Sequence, residues 1–349
     1  MEKLKRALVV ALVLGVAVSG AFANGEKEGG ATAGSSAEMK SMTYTWVAGG
    51  MGGGWYTVAG GFARLVSEKE PRITIKVIPG GGVANPIALA QGEADIAWGV
   101  GYVDKAAYNG IAPIYNQAYK GLASIAGTLS VDYYHFLAAK DQNVTTLEQF
   151  VDKVKKGEKL KVAAPMTGTS EYVMTSFVLE HYGVSYDLIK KNGGTVVQAV
   201  YGDMTSLFKD RHVDYAFACV GLPGAIMTEM AMGRPATLLA LSDETLDYCA
   251  KTYGTVAKAS GLCRVPGGTY TGMPNDIQTL CHSTEILVSP KMPDEVVYMI
   301  TKILNENKAF LVQLGAGYKV FDPKTTAGSV QVPLHPGAAK YYREVGLLK

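Results

Sequence analysis

Residues 44–67 read YTWVAGGMGGGWYTVAGGFARLVS, and this stretch places a strand, a glycine-rich turn and a helix in direct succession. Tyr44–Ala48 carries the aromatic and β-branched residues of a strand, and the apolar residues from Trp55 to Ser67 predict a helix. Two further strands and an intervening helix are predicted at Ile73–Ile78, Ile96–Val100 and Ala84–Gln91. Strand, glycine turn, helix and strand in this order indicate parallel α/β layers.

A second α/β series follows, and then the chain returns to a strand and helices near its end. The predicted strands are His135–Ala139, Leu160–Ala164, Thr195–Val200, Val213–Val220 and Thr279–Val288. Helices are predicted from a capping box at Thr145 and Glu148, over Thr169–His181, from Asp203 to Lys209, from Pro223, and over Pro293–Asn305. Two α/β units joined by two crossing segments, near Ser130–Tyr134 and Pro235–Leu241, predict two lobes with a hinge and a ligand cleft between them.

The N-terminus predicts export from the cytoplasm. A basic head of Lys3, Lys5 and Arg6 precedes the apolar run Ala7–Val18, and Ala21 and Ala23 form an Ala-x-Ala cleavage signal. We therefore expect a signal peptide over residues 1–23, because the apolar run is too short for a membrane anchor. The predicted parts that follow are a flexible tether over 24–41, lobe I over 42–132 and 238–349, and lobe II over 133–237.

Charge and cysteine content exclude several classes of protein. After residue 23 the chain carries 30 basic and 30 acidic residues with no basic run, which argues against a nucleic-acid partner. No later stretch is apolar enough to cross a bilayer. An exported compartment permits disulfides, so we expect either a bridge between Cys249 and Cys263 or none at all. Cys219 lies in an apolar run and is expected to be a buried free thiol.

The loop Gly49–Tyr56 is the strongest candidate for ligand contact. Glycines let the backbone approach a ligand closely, and a helix N-terminus carries partial positive charge, so Gly52, Gly53, Gly54, Trp55 and Tyr56 predict an anion seat. A flexible turn is the alternative interpretation. The dinucleotide fingerprint fails, because Trp55 stands where its third glycine is needed, and no Walker lysine follows.

A second loop of this kind lies between a strand and a helix at residues 165–171. Thr167, Gly168, Thr169 and Ser170 place hydroxyls and free N–H groups at a helix start, although Thr169 could simply cap the helix. The two loops could grip one anion from opposite lobes. Further ligand contacts are expected at Gly82, Trp98, Tyr133, Gly221 and Pro223, while core packing is the ordinary alternative for the aromatic residues.

Catalytic arrangements do not appear in the sequence. The five histidines are scattered without metal spacing, and no Gly-x-Ser-x-Gly elbow is present. We therefore expect a binding protein and not an enzyme, with no cofactor and no metal. A secreted α/β enzyme is the alternative, and it would need a nucleophile–base pair or a metal in the cleft.

Six segments, in this order, resemble the TAXI family of extracytoplasmic receptors for TRAP transporters. They are Gly49–Tyr56, Gly80–Gly82 with Gly92–Asp95, Ala164–Thr169, Gly221–Pro223, Pro266–Tyr270 and Val332–Ala338. The resemblance runs from about Thr43 to the C-terminus. It implies the type II periplasmic-binding fold, a periplasmic location, and delivery to a fused TRAP membrane permease driven by an ion gradient. It also implies a small carboxylate or amino-acid-like ligand.

The first loop departs from the family pattern, since Met51 and Gly54 stand where threonines are usual. Two hydroxyl donors are therefore lost, and a carboxylate with a less polar body than glutamate is expected. We expect the protein to be a monomer. The same fold could instead serve an ABC importer or a membrane sensor, and that alternative remains open at the level of sequence.

Overall fold

A nine-stranded mixed sheet organises the chain in a computed structural model, which describes residues 41–349. The strand order is β2-β1-β3-β11-β4-β7-β5-β6, and β8 pairs with β4 beside this path. The nine strands of this sheet are β1 Met42–Val47, β2 Ile73–Ile78, β3 Ile96–Val100, β4 Ala123–Ala139, β5 Lys161–Ala164, β6 Thr195–Gln198, β7 Tyr215–Val220, β8 Ala236–Leu238 and β11 Cys281–Val288. Strands β9 Arg264–Val265 and β10 Ile277–Gln278 form a separate antiparallel pair.

Helices follow most strands, as the α/β pattern predicts. They are α1 Gly54–Lys69, α2 Ala84–Gln91, α3 Gly101–Asn109, α4 Leu147–Lys155, α5 Ser170–His181, α6 Tyr186–Lys191, α7 Tyr201–Lys209, α8 Ala225–Gly233, α9 Asp243–Tyr253, α10 Asp294–Glu306, α11 Lys308–Leu314 and α12 Pro336–Glu344. Within residues 41–349 no helix has the length and apolar character needed to cross a bilayer. The predicted signal peptide and nearly all of the predicted tether lie outside the described residues.

Two groups of parallel strands form the ends of the sheet. In the first group β1 pairs in parallel with β2 and β3. In the second group β5 pairs in parallel with β6 and β7. The carboxyl ends of β1 and β5 lead directly into the helices α1 and α5, so each group presents a loop followed by a helix start at the strand ends.

The long strand β4 joins the two groups. Residues 123–133 of β4 pair with β11, and residues 133–138 pair with β7. The change of partner lies within Ser130–Tyr134, the segment predicted to cross between the groups. Strand β11 pairs antiparallel with both β4 and β3, so it brings the chain back to the first group.

This return lies later in the chain than predicted. Instead of crossing near Pro235–Leu241, the chain adds β8 to β4 and then packs α9 on α5. The Tyr248 ring stacks on His181 at 4.0 Å, and the Tyr253 ring stacks on Phe177 at 4.4 Å. The apolar face of α9 is therefore buried against the second group before β11 begins.

Three predicted helix starts differ from the observed ones. The capping box is formed by Thr146 and Gln149, one residue after the predicted pair, and this register buries the apolar face of α4. Helix α7 begins at Tyr201, so Asp203 lies inside its first turn and does not cap it. Pro223 precedes α8, which begins after Gly224, and the Gly224 N–H donates to the Tyr270 hydroxyl at 3.0 Å.

All four cysteines are free thiols, and Cys249 and Cys263, for which either a bridge or none was expected, are not bridged. Cys263 donates to the Val256 carbonyl, and its sulfur lies 3.7 Å from that of Cys281, on the first residue of β11. Packing of the segment that contains Cys263 against β11 therefore determines that Cys263 lies beside Cys281. Cys219 is a buried free thiol, as predicted.

Candidate functional site

A cavity of about 330 Å³ opens where the loops of the two strand groups meet, a volume typical of small-molecule sites. Its walls are the starts of α1 and α5, the loop before α2, the segment between β7 and α8, and the turn after α11. The lining residues are Gly49, Gly50, Gly52–Trp55, Thr57, Val58, Gly80–Gly82, Ser130, Asp132, Thr169–Glu171, Tyr201, Cys219–Ile226, His282 and Leu314–Tyr318.

The start of α1 forms one wall of the cavity. Gly52 has a φ of +83°, a left-handed conformation that favours glycine. Gly53 occupies the N-cap position of α1 and provides no side-chain cap. The first-turn N–H groups of a helix have no partner within the helix, and they carry partial positive charge. The wall is therefore suited to an anionic group.

The start of α5 forms the opposite wall, where Thr169 is the N-cap residue. Its hydroxyl accepts from the Tyr172 N–H at 3.2 Å and donates to the Met166 carbonyl at 2.7 Å. The capping interpretation of Thr169 therefore holds, and its hydroxyl is already engaged. Ser170 and Glu171, the two residues between the N-cap residue and Tyr172, line the cavity.

The two walls touch each other beside the cavity. The Gly168 carbonyl accepts from the N–H groups of Val83 and Ala84 at 3.3 and 3.1 Å, so it caps the start of α2 from the other strand group. A Cβ atom on Gly81 would lie only 2.8 Å from the Gly168 carbonyl oxygen. Glycine at position 81 is therefore required for this close approach.

Among the described residues that line the cavity, two carry carboxylates and none is a lysine or an arginine. Asp132, on β4, accepts from Trp55 Nε1 at 2.8 Å, and burial raises the pKa of its carboxyl to about 7. Glu171, in the first turn of α5, has Oε1 2.9 Å from the Tyr201 hydroxyl, and burial raises its pKa as well. Each carboxyl is thus partly desolvated and lacks a cationic partner among the lining residues.

His282 lies in the buried part of the cavity wall as a neutral imidazole. Burial lowers its pKa to about 3. Its Nδ1 hydrogen-bonds with the Tyr134 hydroxyl at 3.1 Å. Among the described residues no partner approaches Nε2, so this atom remains available to a ligand.

The residues predicted to bind a ligand are distributed unevenly around the cavity. Nine of them line it: Gly52, Gly53, Gly54, Trp55, Gly82, Thr169, Ser170, Gly221 and Pro223. Five do not: Tyr56, Trp98, Tyr133, Thr167 and Gly168. Whether any of the nine contacts a ligand remains a prediction.

The five that do not line the cavity have other surroundings. Trp98 is buried behind Trp55 and donates to its carbonyl at 2.9 Å, while Thr167 accepts from Gln198 Nε2 at 2.8 Å. Tyr133 packs in the apolar core. Neighbouring residues of a strand point to opposite faces, so Asp132 faces the cavity where Tyr133 does not.

Sequence reasoning overlooked Asp132, Glu171, His282 and the turn at Leu314–Tyr318. One signal was available: Asp132 is the lone charged residue in the otherwise uncharged run 121–139. A charge within an otherwise uncharged, largely apolar run points to a special role. No comparable signal marks the turn after α11. Within the part of the chain that the structure describes, no three His, Cys, Asp or Glu side chains are arranged to hold a metal ion.

Comparisons with known proteins agree with this architecture. A model of the NMT1-like family matches residues 47–346. MatC from Rhodopseudomonas palustris, solved with bound malate, is 16% identical with a TM-score of 0.52, over 88% of this chain and 99% of that chain. The periplasmic binding protein BugD is 14% identical with a TM-score of 0.48, over 88% and 98% of the two chains. The likeness to MatC confirms the predicted α/β periplasmic-binding fold.

Proposed function

The chain belongs to the NMT1-like family, and we propose that it is an extracytoplasmic receptor that captures a small carboxylate and delivers it to a TRAP membrane permease. The six segments that resemble the TAXI family support the choice of transporter. The signal peptide expected at residues 1–23 supports a periplasmic location. In this proposal the protein binds its ligand without chemical change and acts as a monomer.

One observation carries the proposal: two helix starts, at Gly54 and Ser170, border a single cavity of about 330 Å³. Each helix N-terminus carries about half a positive charge and unpaired N–H groups, which favour an anion. The cavity is large enough for a small organic acid. MatC, which has this fold, was solved with malate, so the fold can accommodate a carboxylate.

The proposal includes closure of two lobes around the ligand. Lobe II would run from Tyr133 to about Leu280, because residues 239–280 pack on the second strand group, and lobe I would comprise the rest of the fold. Hydrogen bonds from Val83 and Ala84 to the Gly168 carbonyl would hold the lobes together when closed. Hinge bending at β4 and β11 would open the cavity.

Binding is tested by thermal unfolding of the purified protein against a panel of small carboxylates and amino acids. A ligand at 100 times its dissociation constant adds about 2.7 kcal/mol of stability. We expect at least one carboxylate to raise the melting temperature, with calorimetry confirming one site per chain. A panel in which no carboxylate binds would refute the proposal.

The anion seat is tested with a matched pair of variants at Gly54. A Cβ atom there meets no heavy atom within 4 Å, so larger residues fit. Gly54→Asp places a negative charge at the start of α1, whereas Gly54→Asn fills the same space without charge. We expect the Asp variant to bind the carboxylate at least tenfold more weakly than the Asn variant, and equal affinities would contradict the anion seat.

Delivery is tested by uptake into vesicles that contain the partner permease. We expect uptake to require both the receptor and an ion gradient, and to proceed without ATP. Uptake that needs ATP hydrolysis would instead assign the receptor to an ABC importer.

A further inference from the structure

The charges around the cavity do not suit a ligand that is only an anion. The two helix starts together contribute about one positive charge. Asp132 and Glu171 contribute two negative charges when ionised, and the lining residues include no lysine or arginine to balance them. An anionic ligand at the helix starts would therefore bring further negative charge into a low-dielectric space that already holds two carboxylates.

Asp132 and Glu171 border the same part of the cavity. Asp132 lies on β4, one residue before the pair that Tyr133 forms with Val220 on β7. Cys219, the residue before Val220, has its carbonyl oxygen 2.8 Å from the Tyr201 hydroxyl. The same hydroxyl lies 2.9 Å from Glu171 Oε1. Burial raises the pKa of Asp132 most, and negative charge on Glu171 raises it further.

A second feature of the same wall points to a further polar group on the ligand. His282 is about 97% buried and lines the cavity. Its Nδ1 is engaged by Tyr134, and its Nε2 has no partner among the described residues. A ring nitrogen without a protein partner in a residue that lines a cavity can hydrogen-bond with a polar ligand group.

Building on the proposed function, we propose that the ligand carries a protonated amine, which Asp132 and Glu171 hold between them, and no more than one carboxylate. The single carboxylate would lie at the N–H groups that begin α1. The ammonium would supply the positive charge that Asp132 and Glu171 lack. Another polar group of the ligand would face His282. The favoured class is therefore zwitterionic or cationic amino compounds, and dicarboxylates such as malate and glutamate are disfavoured.

The amine requirement is tested on the full chain by titration calorimetry with matched compounds. The panel pairs alanine with lactate, leucine with 2-hydroxy-4-methylpentanoate, and glutamine with glutamate, and adds malate. We expect the best amino acid to bind at least a hundredfold more tightly than its hydroxy acid, and glutamine to bind more tightly than glutamate. Hydroxy acids or dicarboxylates that bind as tightly as the neutral amino acids would overturn the proposal.

Variants of the acidic pair test which residues hold the amine. We expect Asp132→Asn and Glu171→Gln each to weaken amino-acid binding at least tenfold without weakening hydroxy-acid binding. Asp104→Asn removes a buried carboxylate outside the cavity and should leave both affinities unchanged. Unchanged amino-acid affinity in both cavity variants would refute the subsite. The calorimetry on the unmodified chain decides the amine requirement even where a variant fails to fold.

The two proposals fail in different ways. If no carboxylate of any kind binds, the proposed function itself is wrong. If carboxylates with and without an amine bind equally tightly, the receptor function stands and only the amine subsite is refuted.

Discussion

Replacing Asp132 with Asn should stabilise the empty protein above neutral pH. Burial raises the pKa of this carboxyl from 3.8 to about 7, whereas in the unfolded chain it returns to its ordinary value. Because the folded pKa is the higher one, the folded state retains a proton between about pH 4 and 7 that the unfolded state has lost. Stability therefore falls as pH rises through this window and levels off above pH 7.

The size of the effect follows from this pKa difference. A difference of about three in pKa corresponds to up to about 4 kcal/mol of lost stability at pH 8. Asn cannot ionise, yet its side-chain oxygen can still accept from Trp55 Nε1. The titratable groups that interact with Asp132 are Glu171, Cys219, Cys281, Tyr133 and Tyr318, and none of them supplies a positive charge.

Urea unfolding of ligand-free protein at pH 4, 6 and 8 measures this prediction. We expect Asp132→Asn to be more stable than the unmodified chain at pH 8 and similar to it at pH 4. The control is Asp104→Asn, since burial beside Glu285 also raises the pKa of Asp104. Both variants should gain stability at pH 8, but only the Asp132 variant should lose ligand binding. A variant that is less stable at every pH would refute the reasoning.

Three further predictions concern single features of the fold. Thr169→Ala should lose about 1 kcal/mol of stability by urea unfolding, because it removes a helix cap. It should also weaken ligand binding, whereas Ser185→Ala, which removes the cap of α6, should cost similar stability and leave affinity unchanged. Gly81→Ala should weaken binding at least tenfold in calorimetry, because the added methyl separates the facing loops, and unchanged affinity would show that these loops need not touch. In oxidising buffer any disulfide should join Cys263 and Cys281, and peptide mapping that finds a different pair would contradict the observed packing.

Local patterns predicted the first α/β unit well. The observed bounds of Ile73–Ile78, Ala84–Gln91 and Ile96–Val100 match the predicted ones. In this region β-branched runs, glycine turns and apolar spacing all favour the same element, so nearby residues suffice to define it. The long strand β4 was predicted only at its end, His135–Ala139, because its earlier residues gain their strand conformation from pairing with β11, far away in the chain.

The candidate site also combines features that nearby residues predict with features that depend on tertiary structure. The loops before α1 and α5 were predicted from glycines and hydroxyls at strand ends, which are local features. Asp132, Glu171 and His282 were overlooked as ligand contacts, because only the tertiary structure places all three in the wall of one cavity. The isolated charge of Asp132 within residues 121–139 was a local signal, but it does not identify a cavity. The burial that raises or lowers their pKa values is a property of the assembled sheet.

The sequence by itself determined the alternation of strands and helices, the glycine turns at the strand ends and the expectation of a periplasmic-binding fold. The alternation and the turns depend on residues a few positions apart, whereas the expected fold rested on the six segments along the chain that resemble one family. Only the tertiary structure decided which loops share a cavity, that the cavity holds two carboxylates without a cation, and that the chain returns along β11. Those features depend on pairing of strands more than a hundred residues apart, since the second α/β unit lies between β4 and β11 in the chain.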